Sequence, residues 1–200
     1  MDMEQKGKLI LVMGPSGSGK GSLLVHVRKQ FPNIVFPTTW TTRQPREGEI
    51  DSAPNASSGK SYHFVSEEEF HRALDLGAFV EQAHYGGHWY GTPKQAVTDV
   101  LLQGGVVLQE LEIQGVRQLK SQFQDVATVI YVDAGSWEEL KKRILARGPM
   151  SEADLCKRKL RYEEEIQSKP EAEFVIENRE GALSEAQRDI AKCIADILSR

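Results

Sequence analysis

The sequence predicts an α/β fold in which a mainly parallel sheet is flanked by helices. Strand-like apolar runs alternate with helical patterns along the 200 residues, and no internal repeat is evident. The first run, Leu9–Met13, is too continuously apolar for a half-exposed strand, and it leads into a glycine-rich turn and a helix. Buried-strand character returns at residues 106–108 and 127–132, and a late strand is predicted at 174–176. This length and pattern suit one domain of moderate size.

The composition predicts a globular protein whose anion-binding sites are local. The net charge of −4 at pH 7 gives no electrostatic footprint for DNA or RNA. No apolar stretch approaches the roughly 18 residues that span a bilayer, and the first seven residues do not resemble a signal peptide. Cys156 and Cys193 are expected to be structural or incidental thiols. We therefore expect a cytoplasmic protein, a monomer or small homo-oligomer, that binds neither nucleic acid nor membrane.

The turn after the first strand has the spacing of a phosphate-binding P-loop. Glycines let the backbone fold around an anion, and Lys20 adds a mobile positive charge for the outer phosphates. Position 21 is glycine where the general pattern has Ser or Thr, and the hydroxyl follows at Ser22. An ordinary glycine-rich turn is the alternative, which the lysine and the flanking apolar residues disfavour. The predicted loop consists of Gly14, Pro15, Ser16, Gly17, Ser18, Gly19, Lys20, Gly21 and Ser22.

Capping residues predict where several helices begin. Ser66, Ser136 and Ser151 each stand three residues before an acidic side chain, which is typical of a helix N-terminus. Thr92 is expected to cap a helix that has proline at its first position, and Ser184 to cap the last helix.

Two segments differ in character from the rest of the chain. Residues 37–92 mix short strands, turns and one helix, which indicates an inserted subdomain, and within it Asp51–Ser61 is expected to be a mobile surface loop. Residues 136–168 form a helical hairpin rich in Lys and Arg, which could close over phosphates. The predicted core is the remainder, residues 1–36, 93–135 and 169–200.

A second anion site is predicted at Arg43 and Arg46. They stand three residues apart, are stiffened by Pro45 and follow two threonines. The planar guanidinium suits bidentate capture of phosphate oxygens. The alternative is a solvated basic turn balanced by Glu47 and Glu49. Two phosphate sites would indicate transfer between two nucleotides.

These motifs resemble those of the guanylate kinases in order and approximate spacing. The resemblance extends from about Lys8 to the last helix, and the P-loop together with Thr-Thr-Arg-x-Pro-Arg is highly specific. It implies reversible transfer of the ATP γ-phosphoryl group to GMP with Mg²⁺, residues 37–92 being the GMP-binding subdomain and 136–168 the lid. The motifs that carry it are Gly14–Ser22, Thr41–Glu49, Tyr62–Val65, Phe79–Glu81, Tyr90–Thr92 and Ile113–Val116.

Carried over position by position, the resemblance implies a role for individual residues. The expected phosphate ligands of GMP are Arg43, Arg46, Tyr62 and Tyr90, and the expected guanine contacts are Thr39, Glu81, Thr92 and Glu112. For the ATP half, the resemblance implies an adenine contact by Asn178, a magnesium ligand in Ser22, and catalysis by Lys20, Arg43, Arg147 and Arg158.

The chemistry of guanine agrees with a carboxylate at position 81. Guanine offers neighbouring donors at N1 and N2, which one carboxylate can accept, whereas adenine offers an acceptor at N1. Thr92 has an alternative role as a helix cap, and Tyr62 and Tyr90 as packing residues.

Glu110 and Glu112 follow a buried run, at the place where open α/β sheets bind ligands. Strand alternation predicts that both side chains lie on one face. One could orient magnesium-bound waters while the other meets the nucleoside or an arginine. A surface acidic pair is the alternative.

Two other functions stay open from the sequence. A catalytically silent guanylate-kinase-like domain for protein interaction is disfavoured by the intact Gly19, Lys20 and Ser22. A related P-loop kinase for another phosphorylated acceptor, such as a ribose bisphosphate, is disfavoured by the Thr41–Arg46 motif and Glu81.

Overall fold

A computed structural model of the chain describes residues 7–46, 49, 51, 62–146 and 148–200. In this part of the chain nine strands and seven α-helices follow one another. The strands are β1 (Lys8–Met13), β2 (Ile34–Val35), β3 (Thr39–Thr41), β4 (Tyr62–Phe64), β5 (Phe79–Tyr85), β6 (His88–Pro93), β7 (Val106–Glu110), β8 (Ala127–Asp133) and β9 (Phe174–Glu177). The helices are α1 (Lys20–Gln30), α2 (Glu67–Asp75), α3 (Lys94–Leu102), α4 (Ile113–Gln122), α5 (Trp137–Leu145), α6 (Glu152–Ile166) and α7 (Leu183–Ser199).

The strands form two sheets. A five-stranded sheet has the order β2-β7-β1-β8-β9, and a four-stranded sheet has the order β4-β3-β6-β5. In the larger sheet β2 runs parallel to β7, with Ile34 opposite Val106, and β8 runs parallel to β9, with Ile130 opposite Phe174. The predicted α/β fold with a parallel sheet flanked by helices is confirmed.

Contacts between residues divide the chain into two compact units. The first contains the described residues of Met1–Ile10 and Asn33–Ala127, and the second contains Leu11–Pro32 and Thr128–Arg200. The predicted core, subdomain and lid stay predictions. The predicted loop Asp51–Ser61 lies outside the described residues except for Asp51.

In the first unit, the four-stranded sheet holds α2 against one group of aromatic side chains. Phe70 of α2 is buried and stacks on Phe79 of β5 with 4.6 Å between ring centroids, and Trp89 of β6 stacks on it at 5.9 Å. Strand β6 pairs antiparallel with both β3 and β5, which brings Thr92 opposite Glu81. The apolar packing therefore fixes the register of the polar residues described below.

The second unit contains the end of β1, which leads through a glycine-rich turn into α1, and α1 packs on α7. Helices α5 and α6 bury a small cluster with Leu140, Ile144 and Tyr162 at its centre. The Tyr162 hydroxyl donates to the Gly135 carbonyl at 2.9 Å. No helix in the described ranges has the length and apolar character needed to cross a bilayer.

The predicted helix starts are confirmed at Ser66, Ser136 and Ser151, whose hydroxyls accept a backbone N–H bond from Glu69, Glu139 and Asp154, respectively. Two other predictions were wrong. Thr92 and Pro93 end β6 instead of beginning a helix, because Thr92 belongs to the ladder with β5, and α3 begins at Lys94. The last helix begins at Leu183, preceded by Ala182, so Ser184 lies inside its first turn.

Candidate functional site

The turn between β1 and α1, in the second unit, has the backbone of an anion cradle. Gly14, Gly17 and Gly19 have φ values of 138°, 96° and 92°, a region that side-chain-bearing residues rarely adopt. A Cβ atom on Gly14 would collide with the Val132 carbonyl oxygen, and one on Gly19 with the Asn178 amide. The loop therefore requires glycine at these two positions for steric reasons as well.

Lys20, the first residue of α1, is buried against its own loop. Its Nζ donates to the carbonyl oxygens of Gly14, at 2.6 Å, and Pro15, at 3.3 Å. These bonds place a positive charge beside the backbone N–H groups at the helix N-terminus, where anions are stabilised. Ser22 follows on the exposed side of the same turn. The arrangement can hold a polyphosphate.

Ser22 fits the chemistry of a magnesium ligand. Mg²⁺ prefers oxygen ligands, keeps several of its waters and is commonly held by one or two protein groups together with substrate phosphates. The exposed hydroxyl of Ser22, close in sequence to Lys20, could meet that requirement. Among the described residues, no group of three or more His, Cys, Asp or Glu side chains is arranged to hold a metal ion by itself.

Asn178 supports the loop from the end of β9. Asn178 is buried, and its side-chain Nδ2 donates to the Ser18 backbone carbonyl at 2.7 Å. The backbone carbonyl of Asn178 accepts a bond of 2.5 Å from the Arg143 side chain. The sequence did not predict this supporting role. The adenine contact that the resemblance implies for Asn178 stays a prediction.

Helix α6 contacts the P-loop through two side chains of opposite charge. Arg158 Nη1 lies 3.5 Å from the Ser16 hydroxyl, and Glu165 Oε2 accepts a bond of 3.2 Å from the Ser16 backbone N–H. Arg158 thus lies at this loop, and the contact with ATP phosphates that the resemblance implies for it stays a prediction. Arg147 lies outside the described residues.

In the first unit, Arg43 is held in a fixed orientation by Glu49. The two guanidinium nitrogens donate to the two carboxylate oxygens at 2.9 and 3.0 Å, and the Arg46 backbone N–H donates to Glu49 at 2.7 Å. This bidentate pair raises the pKa of Arg43 and lowers that of Glu49. The Arg46 residue is exposed. The Arg43–Glu49 pair is the contact that the alternative of a charge-balanced turn involves, and it also fixes the orientation of the guanidinium. The phosphate site at Arg43 and Arg46 stays a prediction.

Two tyrosines stand beside this arginine. The Arg43 guanidinium lies 5.1 Å from the centre of the Tyr62 ring, and the rings of Tyr62 and Tyr90 meet edge to face at 6.0 Å. Burial, and then the charge of Glu110, raise the pKa of Tyr62 to about 12, so its hydroxyl stays a donor at neutral pH. The structure thus brings together Arg43, Tyr62, Tyr90 and Glu110.

Glu110 and Glu112 occupy different elements. Strand β7 ends at the exposed Glu110, whereas Glu112 is the residue that precedes α4. Because Glu112 lies outside the strand, strand alternation no longer predicts that the side chains of Glu110 and Glu112 lie on one face. Their separate roles stay predictions.

Glu81 is a carboxylate inside the protein, with only 1% of the residue exposed. The Thr92 hydroxyl donates to its Oε1 at 2.6 Å, and the Thr92 backbone N–H stabilises the same charge. Burial raises the pKa of Glu81 to about 7, and the two bonds from Thr92 act in the opposite direction. A Cβ atom on Gly115 would lie 2.7 Å from Glu81 Oε2, so the glycine leaves the second oxygen its space.

Gln109 of β7 joins Thr92 to Thr39. It is buried, and its Nε2 lies 2.7 Å from the Thr39 hydroxyl oxygen and 3.3 Å from that of Thr92. No role for Gln109 or Gly115 was predicted from the sequence, although Gly115 lies in the motif Ile113–Val116. A polar residue that directly follows the apolar run of a buried strand was the available signal for Gln109.

The burial of Glu81 predicts how stability depends on pH. The carboxyl has a pKa of about 7 in the folded protein against an ordinary value of 4.5, so between these values the folded state binds more protons than the unfolded state. The free energy of unfolding therefore falls as pH rises through this window. Relative to Glu81→Gln, wild type should lose about 3 kcal/mol between pH 4 and 8, measured by urea unfolding. A difference between the two proteins that does not change with pH would contradict this.

Comparison with known proteins places the chain in a family. The family model described as guanylate kinase matches residues 6–196. A guanylate kinase of Trichormus variabilis is 40% identical over 172 residues, covering 86% of this chain and 82% of the relative. A guanylate kinase of Wolinella succinogenes is 35% identical over 195 residues, covering 98% of this chain and 86% of the relative.

A solved structure agrees with these relatives. The crystal structure of guanylate kinase from Anaplasma phagocytophilum is 26% identical, covers 96% of this chain and 86% of its own, and superposes with a TM-score of 0.73. The family model spans nearly the whole chain, including the P-loop, the arginine cluster and the buried Glu81. The chain belongs to the guanylate kinase family.

Proposed function

We propose that this chain carries out the reaction of its family, the ATP-dependent phosphorylation of GMP, with the residues described above. The choice of GMP as the phosphate acceptor rests on the burial of the Glu81 carboxylate. It accepts from N1–H and N2–H₂ of guanine, which compensates for the cost of its burial. Adenine would bring a lone pair to the same oxygens. Thr39, Thr92 and Glu112 complete the proposed guanine contacts.

The GMP phosphate is proposed to bind at the arginine cluster. Arg43 offers a planar fork already oriented by Glu49, and the Tyr62 hydroxyl stays protonated. The phosphate dianion competes with the Glu49 carboxylate for the same guanidinium. The proposed phosphate ligands are Arg43, Arg46, Tyr62 and Tyr90, with Glu110 beside them.

ATP is proposed to bind at the loop Gly14–Ser22, with its outer phosphates at Lys20. Bound Mg²⁺, held by Ser22 and the phosphates, supplies charge neutralisation on the transferring group. A phosphate oxygen of GMP attacks the γ-phosphorus of ATP, and the bond to the β–γ bridging oxygen breaks, which gives ADP and GDP. The attacking oxygen is already anionic, so alignment and charge neutralisation suffice. The proposed catalytic residues are Lys20, Arg43, Arg147 and Arg158, with Asn178 at the adenine.

We assign separate segments of the chain to the two nucleotides. Residues 37–92 are assigned to GMP and 136–168 to a lid over ATP. We place the reaction in the cytoplasm, with a monomer or small homo-oligomer that binds no nucleic acid or membrane, which the net charge of −4 supports. The sterically required loop glycines and the buried Lys20 argue against a catalytically silent domain. The buried Glu81 argues against a sugar bisphosphate acceptor, whose hydroxyls do not present the neighbouring pair of N–H donors that guanine offers to one carboxylate.

Lys20→Ala should lower kcat by at least about 10²-fold, because it removes a charge that stabilises the transition state. The matched control is Lys29→Ala, which removes an exposed lysine of the same helix and should leave kcat unchanged. Circular dichroism and the melting temperature check that both variants fold. Near-normal turnover in a folded Lys20→Ala would remove Lys20 from the catalytic group.

Glu81→Gln should lower kcat/KM for GMP by about 10²-fold, because the substituted amide presents an N–H where guanine also presents one. The ATP dissociation constant, measured by calorimetry, should change less than about twofold, since ATP is assigned to other residues. Glu68→Gln on the exposed face of α2 is the control and should change neither quantity. Equal losses for GMP and ATP would place Glu81 outside the guanine site.

A further inference from the structure

We infer that Gln109 is a specificity-determining positioning residue: its amide group makes the Thr39 hydroxyl a hydrogen-bond donor toward O6 of guanine. The inference rests on the proposed GMP site, in which Thr39 addresses the base. No motif of the family resemblance includes Gln109. Thr39, Glu81, Thr92 and Gln109 form a buried group in which the direction of each hydrogen bond can be assigned.

The Gln109 side-chain amide faces the two threonine hydroxyls with its nitrogen and not with its oxygen. In the proposed complex with GMP, Glu81 accepts from N1–H and N2–H₂ of guanine and is therefore ionised. An ionised carboxylate can only accept, so the Thr92 hydroxyl, 2.6 Å from it, donates its proton there. The Thr92 oxygen is then available to Gln109 only as an acceptor. The atom 3.3 Å away must therefore be the Nε2 donor, so the chemistry excludes the flipped amide.

The Thr39 hydroxyl also accepts a hydrogen bond from the Gln109 nitrogen. The Nε2 group carries two protons, and the structure places two hydroxyl oxygens beside it, Thr39 at 2.7 Å and Thr92 at 3.3 Å. Each hydroxyl accepts one proton. The Thr39 oxygen therefore keeps its own O–H as a donor, and among the described residues the structure assigns no hydrogen-bond acceptor to it.

A donor at Thr39 beside an acceptor at Glu81 matches the hydrogen-bonding edge of guanine and not that of adenine. Guanine carries an acceptor, O6, next to the N1–H that Glu81 takes, whereas adenine carries the donor N6–H₂ there. With Thr39 fixed as a donor and Glu81 as an acceptor, the pair matches guanine at neighbouring positions and opposes adenine at both. Without the Gln109 amide, the Thr39 hydroxyl could rotate and serve as an acceptor, which would weaken this discrimination.

Burial of Gln109 strengthens the effect of its amide on the two hydroxyls. Gln109 is only 4% exposed, so water does not readily replace its amide bonds. Its partner Thr39 comes from β3 and Thr92 from β6, and the apolar packing of α2 on the same sheet holds the register of these strands. The amide thus acts through the two hydroxyls and does not itself need to touch the nucleotide.

The test uses Gln109→Met, which keeps the length of the side chain and removes its donors. The readouts are kcat/KM for GMP, for 6-thio-GMP, whose sulfur is a weak acceptor at position 6, and for IMP, which lacks the 2-amino group. We expect wild type to prefer GMP over 6-thio-GMP by about tenfold, the value of one hydrogen bond. In Gln109→Met this ratio should fall to about twofold, while the GMP/IMP ratio and KM for ATP stay within about twofold of wild type.

The matched control is Gln118→Met. Gln118 of α4 also uses its side-chain amide to hold a strand, with bonds of 2.7 and 3.1 Å to the backbone of Gln82, and it lies outside the proposed guanine contacts. It should leave both selectivity ratios unchanged. A Gln109→Met protein that loses activity toward GMP, 6-thio-GMP and IMP by the same factor would overturn the inference, and so would one that keeps the wild-type GMP/6-thio-GMP ratio.

Thr39→Val provides a second line of evidence that does not depend on the folding of Gln109→Met. It removes the proposed donor and should compress the GMP/6-thio-GMP ratio to the same value, and an unchanged ratio would overturn the inference. In a double variant the two substitutions should give no further compression, because they interrupt one path. A wild-type enzyme that does not phosphorylate GMP would instead contradict the proposed function, so the two failures are distinguishable.

Discussion

The buried carboxylate of Glu81 is the constraint on which the acceptor site depends. A charge that is 1% exposed is unstable unless nearby groups donate to it, and the structure supplies the hydroxyl and the backbone N–H of Thr92. The raised pKa of about 7 shows that these bonds do not fully offset the burial. Further donors from a ligand would stabilise the ionised form. The site therefore gains most from a base that presents neighbouring N–H groups, which guanine does.

The need to satisfy that charge shapes the surrounding elements. Strands β5 and β6 pair so that Thr92 stands opposite Glu81, and Gly115 of α4 leaves the second carboxylate oxygen its space. The Nε2 of Gln109 then lies within hydrogen-bond distance of the hydroxyl oxygens of Thr39 and Thr92. In the other unit the limiting requirement is steric, because two loop glycines face a carbonyl oxygen and an amide that exclude any side chain. The proposed specificity for the base thus depends on satisfying a buried charge, whereas the proposed polyphosphate loop depends on steric exclusion of side chains.

The sequence predicted the features that are local in the chain. The spacing of the P-loop glycines and Lys20, the apolar run of β1 and the helix starts at Ser66, Ser136 and Ser151 each depend on a few consecutive residues. What it missed depends on distant partners. Gln109 bonds to a residue 70 positions away, and Asn178 supports a loop residue 160 positions before it. Thr92 has the local pattern of a helix cap, but its pairing with β5 keeps it in a strand.

The most direct measurement of the central claim is an acceptor screen with saturating MgATP. The purified chain is assayed with GMP, AMP, UMP, CMP and a ribose bisphosphate under the same conditions. A carboxylate that matches guanine and opposes adenine predicts a kcat/KM for GMP at least about 10³-fold above that for AMP, with the other acceptors lower still. Comparable values for GMP and AMP, or a preference for the sugar bisphosphate, would contradict the account.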